Sequence, residues 1–135
     1  MNDIIKIFTV MAFLIITIDI IVLSLLKKLW KTTIETVQKK TFVPKMHYAI
    51  ASYALIVLGQ YYFVFRHIKR SNWINESLLN GFLFGLILYG VFDFTNLTIF
   101  TDYSLFTATV DMMWGGLLMA ITSFIGYYIL EILQI

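Results

Sequence analysis

The fold is decided by Leu78-Leu79-Asn80-Gly81-Phe82-Leu83-Phe84-Gly85-Leu86-Ile87-Leu88-Tyr89-Gly90-Val91-Phe92-Asp93-Phe94-Thr95-Asn96-Leu97 and by the stretch that answers it, Leu105-Phe106-Thr107-Ala108-Thr109-Val110-Asp111-Met112-Met113-Trp114-Gly115-Gly116-Leu117-Leu118-Met119-Ala120. Each stretch belongs to an apolar run long enough to cross a bilayer, which takes about 20 residues. A short polar break, Thr101-Asp102-Tyr103-Ser104, separates them. The two runs therefore read as an antiparallel pair over residues 78–130, and each carries one Asp well inside it. An ionisable group in hydrocarbon costs several kcal/mol by rough insertion scales, so such residues are seldom placed without a use.

Composition extends this reading to the whole chain. Of 135 residues, 60% are hydrophobic and 13% charged, against about 45–50% and about 25% in a soluble domain. Mean hydropathy is +0.85. These values imply a multi-pass integral membrane protein. The absence of cysteine excludes disulfides and thiolate metal sites. A net charge of +2 gives no support to a nucleic-acid role. The expected partners are the bilayer, a lipid or other small-molecule ligand, and further copies of the chain.

Four apolar stretches stand out, at about 4–26, 46–65, 78–99 and 104–130. Within lipid the backbone must pair inside each segment, which selects helix over strand. The expected fold is all-α: a four-helix transmembrane bundle forming one domain over 1–135, with both termini on the same side (side A). Loops 27–45 and 100–104 then lie on side B. Side B carries Lys27, Lys28, Lys31, Lys39, Lys40 and Lys45, and side A carries Lys6, Arg66, Lys69 and Arg70. That split leans toward a cytoplasmic side B and is too even to fix the orientation.

Loop 27–45 has its own pattern. Trp30, Ile34, Val37 and Thr41 recur at helical spacing, with most lysines elsewhere on the wheel. It reads either as a helix lying on the membrane with Trp30 at the headgroups, or as a solvated extension of the first span. Pro44 marks the start of the second span. Asn75 is a candidate cap for the third, and Asp102 or Ser104 for the fourth.

The acids fall at a common depth. Asp93 is nine residues before Asp102 and Asp111 nine after it, so in a hairpin turning there both lie roughly 13 Å below the turn. Asp19 lies eight residues before Lys27, or roughly 12 Å by the same rise. The second span reaches that layer near Ser52 and Tyr53. Gly81, Gly85, Tyr89, Asp93 and Asn96 form one helical stripe, and Thr107, Asp111, Trp114, Gly115, Leu118 and Thr122 form another. The glycines permit close helix approach. The expected site is a polar pocket with Asp93 and Asp111 as candidate catalytic acids and Asp19, Tyr53, Tyr89, Asn96 and Trp114 as candidate binding residues. No metal is assigned, and the sequence names no cofactor.

Burial and like charge both work against full ionisation of three carboxylates with no Lys, Arg or His at their depth. They are expected to share protons, bind a cation or face a water-filled cleft. The bland alternative is that they serve as interhelical hydrogen-bond acceptors. Phe82, Phe84, Phe92 and Phe94 read as lipid contacts or packing, and His47 and His67 as interfacial residues. The sequence holds no HExxH, GxSxG or phosphate loop.

Tyr89-Gly90-Val91-Phe92-Asp93-Phe94-Thr95-Asn96-Leu97 and Thr109-Val110-Asp111-Met112-Met113-Trp114-Gly115 resemble the YGxYDxTN and DxxWG patterns of a small bacterial-type membrane-protein family, domain of unknown function 2177. Ile18-Asp19 and the aromatic-rich second span are similar too, so the resemblance covers nearly the whole chain. One departure is Val22, where the family often has Trp. The resemblance implies four spans and the same polar residues, and it carries no activity. Three functions stay open: a membrane-embedded binding site for a lipid or small apolar molecule, with acid–base chemistry within its reach; a proton- or cation-coupled transporter or channel, which with four spans needs an oligomer; and a structural or assembly subunit.

Overall fold

The computed structural model describes residues 3–134. Met1, Asn2 and Ile135, and with them the outer edges of the expected 1–135 domain, lie outside the described residues. Among the described residues, five α-helices follow one another: α1 Asp3–Leu25, α2 Lys27–Gln38, α3 Met46–Phe63, α4 Trp73–Ile99 and α5 Leu105–Ile132. Single 3₁₀ turns, Phe65–His67 and Arg70–Asn72, bridge α3 to α4. No strand occurs among the described residues. Among the described residues, four helical segments are long and apolar enough to cross a membrane: Asp3–Leu25, Met46–His67, Arg70–Ile99 and Leu105–Ile132.

The bundle is built around α5. Half of its most apolar window is buried, against 17–22% for the other three spans, so α5 is the hub. Its buried face explains why: Thr107, Ala108, Gly115, Gly116, Ala120, Ser123 and Gly126 are small and admit neighbours closely. In lipid there is little hydrophobic drive between helices, and close van der Waals packing replaces it. The α4–α5 seam is the extreme case. A Cβ placed on Gly85 would lie 2.0 Å from the carbonyl oxygen of Gly115, and one on Gly81 2.6 Å from that of Met119. The expected glycine stripe is thus a backbone-to-backbone contact. The outward faces of α1, α3 and α4 keep large apolar residues such as Phe13, Leu55, Ile87 and Phe94 exposed, as lipid-facing surface requires.

At the end where α4 begins, Trp73 stacks on Phe124 and Tyr127 at ring distances of 5.2 and 5.4 Å, Arg66 lies over Tyr62, and Arg70 pairs with Glu131. Aromatic and basic residues of this kind mark a membrane–water interface. This packing carries α4 back to Trp73, five residues before the apolar run begins. Asn75 is consequently not the cap expected from sequence. Asn72 occupies that position without a side-chain cap bond, and Asn75 donates to the Asn72 side chain at 3.0 Å. At α5 the cap is Ser104, whose hydroxyl accepts from the Thr107 amide at 3.2 Å.

The largest difference from expectation is α2. Leu26 breaks the path out of α1, and Lys39, in left-handed conformation at φ 55, ends the helix; Thr41 is outside it. The helix folds back over the α4–α5 turn. Thr33 is buried against Thr107, their hydroxyls 2.7 Å apart, and Lys39 reaches Asp102 at 2.7 Å. Trp30 points inward to Asp111. The apolar stripe is present as its spacing implies, but its partner is the bundle, where the indole N–H finds a carboxyl acceptor and Thr33 a hydroxyl.

Candidate functional site

The regular four-residue spacing of Met11, Ile15 and Asp19 places Asp19 on the buried face of α1. Its two oxygens are each filled. The Tyr53 hydroxyl of α3 donates to Oδ2 at 2.6 Å, and the Trp114 indole of α5 donates to Oδ1 at 2.8 Å. One carboxylate therefore ties three helices together.

Asp93 and Asp111 face each other across the α4–α5 seam. Asp93 is fully enclosed. Its Oδ1 accepts from the Tyr103 hydroxyl at 3.0 Å, while its Oδ2 is buried with no hydrogen-bond partner among the described residues. Asp111 accepts from Trp30 Nε1 at Oδ1, 3.0 Å away. The donors to the three acids are Tyr53, Trp114, Tyr103 and Trp30, all neutral. The ion pairs among the described residues join other acids: Asp3, Glu35, Asp102 and Glu131. Tyr103, in the turn outside the spans, has its phenol pKa raised by burial first and then by its bond to Asp93, so it stays a proton donor. Asn96 lies beside its hydroxyl.

Asp111 opens onto two clefts. One, of about 440 Å³, is lined by Asp19, Ser52, Tyr53, Tyr89 and Phe92, among others. The other, of about 390 Å³ beneath α2, is lined by Trp30, Ile34, Asn96, Tyr103 and Thr107, among others. Phe92 and Asp111 alone border both. Both volumes fall in the range of small-molecule sites, about 300–1,000 Å³. A third, apolar groove of about 780 Å³ runs between α1 and α3 and shares Ala49 and Tyr53 with the first cleft.

The seven residues singled out from sequence thus gather in one region, but not in one pocket. Asp19, Tyr53 and Trp114 form a closed hydrogen-bonded knot. Asp93, Asp111 and Asn96 form a second group under α2, and Tyr89 stands within electrostatic range of all three acids. Among the described residues, no three His, Cys, Asp or Glu side chains come together as a metal-ion cluster.

The family model described as "Predicted membrane protein (DUF2177)" matches residues 4–128, nearly the whole chain. The chain belongs to the DUF2177 family. No curated protein and no solved structure matches it. Membership agrees with the four apolar spans and establishes a multi-pass membrane protein.

Two residues of this DUF2177 site, Tyr103 and Trp30, are absent from the set that the sequence singles out. Tyr103 sits in the polar break, yet a phenol one position from the hairpin's turn is well placed to reach back to an acid. Trp30 has the spacing of a membrane-surface residue, and no periodicity tells which way an amphipathic helix docks. His47 is at the start of α3 and His67 in the 3₁₀ turn after it, away from the acids.

Proposed function

We propose that this DUF2177 protein binds a lipid or other small apolar molecule at the Asp111 clefts, with Asp93 and Asp111 as an acid–base pair. The observation that carries the reading is the contrast between the acids. Asp19 has a donor on each oxygen and reads as a structural pin, whereas Asp93 keeps an enclosed oxygen without a donor beside an acid that borders two clefts. A buried polar atom left unpaired costs about 1–3 kcal/mol. A proton shared with Asp111 is what relieves that cost, and two carboxyls that share a proton beside open clefts are candidates for function. The reading includes a single four-span domain over 1–135 with both termini on one side, supported by the antiparallel contacts of α1 with α5, Asp19 to Trp114 and Leu14 to Gly126.

One observation favours proton-coupled transport as a second reading: Asp111 borders a cleft toward the loops and a cleft among the spans. The test is native mass spectrometry of protein extracted with its surrounding lipid. Binding predicts a retained small molecule that Asp111→Asn loses. A wild-type protein with no retained ligand, combined with pH-driven uptake into vesicles that the same variant abolishes, selects transport instead.

A further inference from the structure

Basic residues are distributed unevenly between the two ends of the bundle. The end where α1 and α4 begin holds Lys6, Arg66, Lys69 and Arg70 against Asp3, Glu76 and Glu131. Lys6 pairs with Asp3, Arg70 pairs with Glu131, and Arg66 lies over the Tyr62 ring. The end where α1 gives way to α2 holds Lys27, Lys28, Lys31, Lys39, Lys40 and Lys45 against Glu35 and Asp102 alone. Glu35 takes Lys31 and Asp102 takes Lys39. Lys27, Lys28, Lys40 and Lys45 have no ion-pair partner among the described residues, and all of them are exposed.

Lys28 also lines a pocket separate from the Asp111 clefts. This open pocket, of about 560 Å³, lies between α2 and the start of α5 and meets the cleft beneath α2 only at the Thr33–Thr107 hydroxyl pair. Lys28, Thr32 and Thr36 line it at four-residue spacing, which on a helix is one face. Ser104 lines it from the cap of α5; its hydroxyl accepts from the Thr107 amide and keeps its own proton to donate. Leu25, Leu26 and Leu29 form an apolar wall. Asp102 is the acid at the rim, and Lys39 neutralises it at 2.7 Å. One ammonium, hydroxyl donors and a leucine wall match a phosphate ester that carries a hydrocarbon tail, because the phosphate oxygens accept and the ammonium only donates.

The place of the pocket selects the source of that phosphate. One apolar span ends at Leu25 and another begins at Leu105, so the pocket lies at a boundary of the apolar layer, where lipid head groups start. Leu25 is 77% exposed next to Lys27 and Lys28; such a leucine faces acyl chains while lysine stems carry their charges up to the head groups. We propose that the pocket and the lysines around it bind an anionic phospholipid of the surrounding bilayer, with its phosphate at Lys28 and the hydroxyls and its chain along Leu25 and Leu26. A zwitterionic lipid offers the same phosphate, but its own cation opposes the other unpaired lysines. Each lysine near an anionic lipid surface strengthens attachment about fivefold. The lipid holds α2 from outside as Trp30 holds it from within, and the site does not depend on what the Asp111 clefts bind.

The test is native mass spectrometry of the full chain in non-ionic detergent, titrated with dioleoyl phosphatidylglycerol or dioleoyl phosphatidylcholine. The variants are Lys28→Gln and, at the opposite end, Lys69→Gln; both side chains are exposed, so both variants fold. The expected result is phosphatidylglycerol bound about tenfold or more tighter than phosphatidylcholine, an affinity for it lowered about fivefold in Lys28→Gln, and no change in Lys69→Gln. Glycerol 3-phosphate at the same concentration is expected to displace no lipid. Equal affinity for the two lipids overturns the proposal, as does a loss in Lys28→Gln no greater than in Lys69→Gln. Displacement by glycerol 3-phosphate overturns the lipid as occupant and gives the pocket to a soluble phosphate.

Discussion

Trp30 Nε1 donates to Asp111 Oδ1 at 3.0 Å across 81 positions of sequence. This bond joins a basic, amphipathic loop helix to an acid inside the bundle, and it makes α2 a cover over the loop-side cleft. The other ties are the Thr33–Thr107 hydroxyl pair and the exposed Lys39–Asp102 ion pair, the latter worth about 0–1 kcal/mol. Trp30→Phe is expected to loosen α2 with the four spans intact, at a cost of about 0.5–1.5 kcal/mol for the lost hydrogen bond. Hydrogen exchange should rise in residues 27–38 and stay unchanged in α5. Unchanged exchange over α2 would show that the indole bond does not hold it down.

The Asp93–Asp111 pair is expected to hold one proton at pH 7. A proton on either carboxyl supplies the donor that Asp93 Oδ2 lacks, and two acids in contact titrate as a pair. Infrared difference spectra, with Asp93→Asn and Asp111→Asn for assignment, should show one protonated carboxyl band that each variant removes. Two carboxylates ionising independently near the ordinary value of about 4 would mean that the pair is not formed.

Asp19 is expected to behave differently from the other two. Asp19→Asn converts one acceptor oxygen into a donor facing Tyr53 or Trp114, both already donors. The loss should be about 0.5–2 kcal/mol, read as a lowered melting temperature in detergent. Stability equal to wild type would remove its structural assignment.

Gly85→Ala is expected to be more damaging than Gly59→Ala. A Cβ at Gly85 meets Gly115 backbone at 2.0 Å, and one at Gly59 meets the tip of the Phe84 ring at 2.9 Å. A ring can turn, whereas backbone packed on backbone cannot, so Gly85→Ala should cost about 3 kcal/mol and Gly59→Ala much less. Comparable melting temperatures for the two would show that the α4–α5 seam is looser than this.

The facing of Asp93 and Asp111 was legible in the sequence because a helix has a fixed rise. Asp93 and Asp111 stand symmetrically about Asp102, and an antiparallel hairpin can only bring them level. Span positions were legible from length and hydropathy, and the glycine stripe from its four-residue spacing. What was not legible was choice of partner. Tyr53 and Trp114 both take Asp19, Tyr103 takes Asp93 and Trp30 takes Asp111; each pairing depends on helix rotation and tertiary docking, which periodicity leaves free. The start of α4 was hidden for the same reason, since Trp73 is held by aromatic residues more than fifty positions away.

The central claim is that the Asp93–Asp111 pair serves a ligand rather than the scaffold, and melting temperature with and without added membrane lipid extract tests it most directly. For Asp93→Asn and Asp111→Asn the account predicts an unliganded melting temperature equal to or above wild type, because functional groups are often kept at a cost in stability. It also predicts loss of the ligand-induced rise that wild type shows, since only a ligand bound to the folded state raises it. A marked fall in both unliganded melting temperatures, with no lipid-induced rise in wild type, would contradict the account and leave the two acids as structural hydrogen-bond acceptors.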